Sequence, residues 1–182
     1  KCINTIVLAR VLAAHPLINV HSSAVPSDPN HKLAQRLMHL GLPAPLFTID
    51  FEAKPGEPRW LEPDAFKRFF DCLEPAFGLQ VSLGQTNTVA LCPGLTSHSE
   101  LSGEALAEAG ITPTTIRIAV GDEDPRTLLA HLLRAAGLKR LDHYAIFMEN
   151  NSRYLECNGA GERSGLYYTC INSYLTAEEL AY

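Results

Sequence analysis

The hydrophobic pattern of the first third of the chain predicts a helix followed by a strand. Asp28 and Pro29 suit the start of a helix, as its N-cap and its first helical residue. Gly41 ends the helix. The apolar stripe between these limits consists of Leu33, Leu37 and Leu40. Residues 46–51 then alternate between apolar and polar positions, which is typical of a half-buried strand.

The middle of the chain predicts two further helices with a strand between them. The first helix begins at Pro63, and its apolar face carries Phe66, Phe69, Phe70 and Leu73. The strand has Ile116, Ile118 and Val120 on one face and Thr115, Arg117 and Ala119 on the other. The second helix opens at Asp124 and Pro125, ends at Gly137, and buries Leu128, Leu129, Leu132 and Leu133. Arg117 is therefore expected to face away from the core.

After Gly137 the predicted strands and helices alternate. Residues 143–148 predict a strand, about 153–163 a helix, 166–171 a strand, and residues from Thr176 a helix that begins with a capping box. The whole pattern predicts an α+β fold with helices packed on a sheet, followed by a short βαβα fragment. Because the last helix is short and the first residue is lysine, we expect the natural sequence to extend at both ends.

Composition and charge narrow the possible partners. The 182 residues, 46% hydrophobic and 19% charged, suit one domain plus a fragment. The formal net charge is −5 and the sequence has no cluster of lysine and arginine, so neither nucleic acid nor membrane is an expected partner. No apolar run approaches the roughly 20 residues that cross a bilayer.

The cysteines and histidines predict neither a disulfide framework nor a metal site. The five cysteines are odd in number, lie far apart and form no C-x-x-C pair. The seven histidines lack metal-binding spacing. A cytoplasmic protein without a metal is therefore expected.

Several motifs nevertheless resemble the C-terminal domain of the pyridoxal-phosphate enzymes of cysteine and methionine metabolism, the family of cystathionine γ-synthase and O-acetylhomoserine sulfhydrylase. They are V-P-S-D-P-N-H-K-L-A-Q-R-L-M at 25–38, V-S-L-G at 81–84, P-G-L-T-S-H at 93–98 and R-I-A-V-G-D-E-D at 117–124. The resemblance covers about residues 10–136. It implies the small C-terminal domain of a fold-type I enzyme.

The resemblance also implies roles for particular residues. Arg117 would bind the substrate α-carboxylate, which a guanidinium can do bidentately at any relevant pH. Ser82 would hydrogen-bond that carboxylate or position the cofactor-linked lysine, and Asn87 lies where the family selects its substrate. A solvated strand arginine and a turn serine are the alternatives. Ser97 and His98 are expected to form a local hydrogen bond that shapes their loop.

The cofactor chemistry of that family needs a lysine for the Schiff base. In the family this lysine belongs to the preceding large domain, and no lysine of this chain stands in the family's S-x-x-K setting. No catalytic, cofactor-binding or metal residue is therefore assigned. Pyridoxal phosphate is expected in the full-length parent, together with an amino-acid substrate and a homo-oligomeric state, but not bound to this chain alone.

A second resemblance begins at Gly137. The segments G-L-K-R-L-D-H-Y-A-I-F-M-E-N-N, E-R-S-G-L-Y-Y-T-C-I-N and L-T-A-E-E-L-A-Y resemble the opening of an acyl-CoA synthetase of the AMP-binding, adenylate-forming superfamily. The predicted domains are therefore residues 1–136 and 137–182.

Three hypotheses about function remain open at this point. The first is a substrate-carboxylate-binding domain of a sulfur-amino-acid transferase or lyase, whose parent eliminates or replaces a β- or γ-substituent of an O-acylhomoserine or cystathionine. That domain would be inactive alone. The second is a non-catalytic chimeric or decayed gene product. The third is a remnant of an acyl-CoA ligase.

Overall fold

The computed structural model describes residues 1–15, 18–51, 65–137, 139–147 and 152–171. The chain divides into two compact units, Lys1–Glu123 and Asp124–Tyr182.

The first unit is built on a mixed sheet. In the described residues its five strands have the order β1, β2, β5, β4 and β3. Their bounds are β1 Asn19–His21, β2 Leu46–Asp50, β3 Gly78–Leu79, β4 Val89–Leu91 and β5 Ile116–Ala119. Neighbouring strands are antiparallel except for the parallel pair β3 and β4. Strand β5 is therefore central, with a backbone neighbour on each side.

Helices and short 3-10 turns complete the first unit. The helices are α1 Cys2–Ala13, α2 His31–Leu37, α3 Ala65–Asp71 and α4 Gly103–Glu108, and the turns are His39–Gly41 and Pro93–Leu95. The largest fully buried side chains in this unit include Leu8, Ile49, Leu73, Phe77, Ile116 and Ile118. A mixed sheet combined with helices agrees with the predicted α+β class.

The strand predictions in this unit are confirmed. Strand β2 spans Leu46–Asp50 and buries Phe47 and Ile49. On β5 and just after it, Ile116, Ile118 and Val120 are buried as expected. Thr115 and Ala119, on the face of Arg117, are also buried, so that face is covered by other parts of the unit. The predicted helix start at Pro63 lies outside the described residues, but α3 and the buried Phe69 and Leu73 follow it.

The apolar stripe predicted between Asp28 and Gly41 is not buried. Leu33, Leu37 and Leu40 are 49%, 74% and 79% exposed. Residues 22–31 form successive turns, with Asp28 donating its N–H to the carbonyl of Val25 and His31 donating to that of Asp28. The helix thus begins only at His31 and ends at Leu37. Helical spacing shows which side chains share a face, but not whether that face meets the sheet.

The second unit contains two helices and a parallel pair of strands. Helix α5 spans Pro125–Ala135, β6 His143–Phe147, α6 Ser152–Ser164 and β7 Tyr167–Ile171. Strands β6 and β7 are parallel and joined through α6, so the predicted strand, helix and strand are confirmed. The predicted helix from Thr176 lies outside the described residues.

Helix α5 begins as predicted. The Asp124 carboxylate accepts a hydrogen bond from the N–H of Arg126, which caps the first turn. Leu128, Leu129 and Leu132 are buried, whereas Leu133 is half-buried. Gly137 follows the helix with a φ of +94°, a conformation that suits glycine.

The division between the two units follows packing. Arg163 of α6 donates to the Thr127 hydroxyl of α5 at 2.9 Å, and the Ser164 hydroxyl donates to the carbonyl of Ala130 at 3.3 Å. By its contacts α5 thus belongs with the second unit. The domain boundary predicted between residues 136 and 137 rests on two sequence resemblances. The packing of α5 does not test these resemblances, so this boundary stays a prediction.

Candidate functional site

Arg117 lies on the central strand of the sheet. Its backbone is in register with Thr48 on β2 and with Leu91 on β4. The side chain is half-buried, and its Nη2 donates a hydrogen bond to the carbonyl oxygen of Ser82 at 3.3 Å. Its Nε is buried and has no hydrogen-bond partner among the residues that the structure describes. A buried donor without a partner is costly, and a hydrogen-bond acceptor next to Nε would remove that cost.

Ser82 lies on the loop between β3 and β4 and is half-buried. Its hydroxyl oxygen accepts a hydrogen bond from Nε2 of Gln85 at 2.8 Å. Ser82 thus contacts Arg117 through its backbone carbonyl. Its hydroxyl forms a hydrogen bond within the loop, to Gln85.

Asn87 lies near the other end of the same loop and is exposed. Its Oδ1 accepts a hydrogen bond from the hydroxyl of Thr86 at 3.4 Å. No hydrogen bond found in the described residues joins Asn87 to Arg117 or Ser82. Its role in selecting a substrate stays a prediction.

No hydrogen bond found in the described residues joins Ser97 or His98 to Arg117, Ser82 or Asn87. The hydroxyl of Ser97 and Nδ1 of His98 are 2.8 Å apart on an exposed turn. This contact agrees with the local hydrogen bond that the sequence predicted.

A second set of polar residues, which the sequence analysis missed, holds the loop at Asn87. Both carboxylate oxygens of Glu123 accept hydrogen bonds from Thr88, one from its N–H and one from its hydroxyl. Gly121 donates its N–H to the Thr88 hydroxyl oxygen at 3.0 Å. Glu123 and Gly121 belong to the motif that contains Arg117. Their position in this motif is the sequence feature that could have identified them.

The sequence analysis also missed a group of three polar residues across strands β1 and β2. The buried carboxylate of Asp50 accepts a hydrogen bond from Nδ2 of Asn19 at 2.8 Å, and its other oxygen lies 2.5 Å from Nε2 of His21. Only the strand pairing brings Asp50 to Asn19 and His21, because Asp50 lies about thirty positions after them in the sequence.

The described lysines do not suit a Schiff base. Lys32, Lys67 and Lys139 are exposed, and Nζ of Lys1 donates to the carbonyls of Gly84 and Gln85. Desolvation is one way in which a lysine amine becomes nucleophilic, and the exposed Lys32, Lys67 and Lys139 are not desolvated. We therefore derive no reaction step through pyridoxal phosphate on this chain.

The described residues contain neither a metal-binding cluster nor a membrane-spanning helix. Across the described ranges, no three His, Cys, Asp or Glu side chains are grouped so that they could hold a metal ion. In that same part of the chain, no helix has both the length and the apolar character to cross a membrane.

The cluster around Arg117 lies within a region shared with known proteins. Residues 2–137 match the family described as Cys/Met metabolism PLP-dependent enzyme. The chain belongs to this family. The members named below act in methionine and cysteine metabolism.

The relatives agree with this assignment. O-succinylhomoserine sulfhydrylase of Pseudomonas aeruginosa is 36% identical over 132 residues, which are 72% of this chain and 30% of the relative. L-methionine gamma-lyase of Pseudomonas deceptionensis is 36% identical over 135 residues, 74% of this chain and 31% of that enzyme.

Solved structures give the same result. Cystathionine gamma-lyase of Micromonospora echinospora is 31% identical, with a TM-score of 0.62, over 75% of this chain and 33% of the solved chain. Cystathionine gamma synthase of Xanthomonas oryzae, solved with cystathionine, is 28% identical, with a TM-score of 0.61, over 73% of this chain and 32% of that chain. This chain therefore spans about 30% of the length of the curated relatives it matches.

Proposed function

We propose that this chain forms the substrate-carboxylate-binding part of a pyridoxal-phosphate-dependent enzyme of sulfur-amino-acid metabolism. The observation that supports the proposal most strongly is the half-buried Arg117, whose Nε lacks a partner among the described residues. A substrate carboxylate would satisfy this donor and bring a charge complementary to the guanidinium.

Each of the three candidate residues has a distinct role in this proposal. Arg117 binds the α-carboxylate and thereby fixes the orientation of the amino acid. Ser82 keeps the guanidinium in place through its carbonyl, at 3.3 Å from Nη2. Asn87, exposed on the same loop, contacts the substrate side chain and contributes to the choice among O-acylhomoserine, cystathionine and related substrates.

The chemistry itself belongs to the parent enzyme in this proposal. Pyridoxal phosphate, when bound there, supplies the electron sink for elimination or replacement at the β- or γ-carbon. We propose that its lysine lies in the part of the relatives that this chain does not span. The parent is proposed to be a homo-oligomer in the cytoplasm, where cysteines that form no disulfide, such as the exposed Cys72 and Cys170, persist as thiols.

A hybrid enzyme tests the role of Arg117. Residues of this chain would replace the matching 132 residues of the Pseudomonas aeruginosa sulfhydrylase, which retains its own remaining sequence. Arg117→Ala in this hybrid should weaken substrate binding by about 2 to 5 kcal/mol, because it leaves a buried carboxylate without its partner. The KM for the amino acid should rise accordingly, while the cofactor absorbance stays nearly unchanged.

The exposed Arg36 provides the matched control for that hybrid. Arg36→Ala removes the same charge away from the proposed site, and it should leave KM unchanged. Equal KM values for the hybrid and its Arg117→Ala variant would refute the carboxylate role.

We further propose that residues 137–182 derive from an acyl-CoA synthetase of the adenylate-forming superfamily. The parallel pairing of β6 and β7 through α6 supports a βαβ unit in this segment. No nucleotide site is assigned. Sequencing the gene past the codon for Tyr182 tests the proposal: a Thr/Ser/Gly-rich phosphate loop downstream would support it, and a continuation with no such loop would favour a chimeric or decayed gene product.

A further inference from the structure

We propose that Glu123, acting through Thr88, is a positioning residue that holds the loop of residues 82–88 beside Arg117 in the conformation that receives a carboxylate. This inference rests on the proposed function. It adds a residue that does not touch the substrate but determines where the substrate-binding groups lie.

Glu123 uses both of its carboxylate oxygens on a single residue. Oε1 accepts a hydrogen bond from the backbone N–H of Thr88, and Oε2 accepts one from the Thr88 hydroxyl at 2.8 Å. Hydrogen bonds to an ionised acceptor are roughly twice as strong as neutral ones. The pair therefore fixes both the backbone and the side chain of Thr88.

Thr88 transmits this constraint to the end of strand β5. Its side chain is fully buried, and its hydroxyl oxygen accepts a hydrogen bond from the N–H of Gly121 at 3.0 Å. The hydroxyl thus donates to Glu123 and accepts from Gly121, so that its hydrogen-bonding capacity is well used. Asp122 adds a backbone hydrogen bond to the carbonyl of Thr86 at 2.8 Å.

The approach of the two segments is too close for a larger residue at position 121. A Cβ atom on Gly121 would lie 2.2 Å from the carbonyl oxygen of Thr86 and 2.4 Å from Oε2 of Glu123. These separations are well below van der Waals contact. The segment after β5 and the loop end at 86–88 are therefore packed against each other as one structure.

Thr88, at the end of the loop, and Arg117 lie next to the same pair of strands, β4 and β5. Val89, directly after Thr88, is in register with Ala119, two residues beyond Arg117. At the other end of the loop, Ser82 accepts the hydrogen bond from the Arg117 guanidinium. Fixing Thr88 thus restricts the span between Ser82 and Asn87, which carries the groups proposed to contact substrate.

Variants of the 182-residue chain test the inference by NMR. Thr88→Val and Glu123→Gln remove one hydrogen-bond group each, and Thr88→Ser retains the hydroxyl. Glu108→Gln is the control, because this exposed carboxylate lies at the end of α4. Two quantities are measured for each variant: the hydrogen-exchange rates of the amides from 84 to 88, and the dissociation constant for L-methionine from the shift of the Arg117 Nε–H signal.

We expect Thr88→Val and Glu123→Gln to speed exchange in this loop and to weaken L-methionine binding about tenfold, as expected for the loss of a hydrogen bond to a charged group. Thr88→Ser and Glu108→Gln should match the wild-type chain in both quantities, and exchange at Ile116 and Ile118 should stay unchanged. If Glu123→Gln fails to fold, the Thr88 pair still decides the question.

The outcomes separate the two proposals. Faster loop exchange with unchanged methionine affinity would show a purely structural role and overturn the positioning inference alone. Unchanged exchange and affinity in Thr88→Val would overturn it as well. A wild-type chain whose Arg117 signal does not respond to L-methionine would instead overturn the proposed function, whatever the exchange rates.

Discussion

The thiol of Cys92, just after strand β4, shows how burial controls reactivity at the scale of one residue. Burial, and secondarily the negative charge of Asp71, raises the pKa of this thiol to about 11. Cysteine reacts as the thiolate. At pH 8 we therefore expect iodoacetamide to modify the exposed Cys72 and Cys170 well before Cys92, as measured by peptide mass spectrometry. Equal rates at all three would contradict this assignment.

The same shift predicts how stability depends on pH. The folded-state pKa of Cys92 lies above the ordinary value of 9.0, so the folded chain keeps the thiol proton longer than the unfolded chain. This contribution is fully present below pH 9 and is lost as the pH rises toward about 11. Urea unfolding of wild type and Cys92→Ala across this range measures it, and the wild-type chain should lose more stability than the variant.

The position of Arg117 could be predicted from sequence, but its contacts could not. Strand alternation alone places Arg117 on the face opposite Ile116 and Ile118, and the structure buries those two residues as well as Thr115 and Ala119 on the Arg117 face. The hydrogen bond to the carbonyl of Ser82 depends on a loop whose course is determined by Glu123 and Thr88. Such contacts between segments about 35 residues apart leave no periodic pattern in the sequence.

At the scale of one element, helices α2 and α3 differ although both carry apolar stripes. Leu37 on α2 is 74% exposed, whereas Leu73, just after α3, is fully buried. Leu73→Ala should lower the free energy of unfolding by about 2 to 5 kcal/mol, because it leaves a cavity in the core. Leu37→Ala should change it by less than about 0.5 kcal/mol. Denaturant unfolding of both variants measures the difference, and a similar loss in both would place α2 in the core.

The two helices also show what local patterns can predict. The start of α5 followed from Asp124 and Pro125, since capping depends on neighbouring residues only. The orientation of α2 depends on the turns of residues 22–31, which are fixed by backbone hydrogen bonds and not by apolar spacing. Elements bounded by local signals were therefore predicted better than the surfaces they bury.

At the scale of the whole molecule, the α+β class and the strand–helix–strand order of the second unit could be predicted from the order of apolar patterns along the sequence. The division of the chain after Glu123 did not, because it depends on contacts between α5 and α6, such as the one from Arg163 to Thr127. The family assignment came from motifs around Arg117, and the match covers residues 2–137. Function for the whole enzyme remains a proposal, because the chain spans about 30% of its relatives.

The most direct test of the carboxylate-binding role of Arg117 is an NMR titration of the 182-residue wild-type chain with L-methionine and, separately, with L-methioninol, which lacks the carboxylate. We expect a saturable shift of the Arg117 Nε–H signal with L-methionine only, because this buried donor has no partner among the described residues. The exposed Arg36 should not respond. Identical responses of Arg117 to both compounds, or none to either, would refute its role in carboxylate binding.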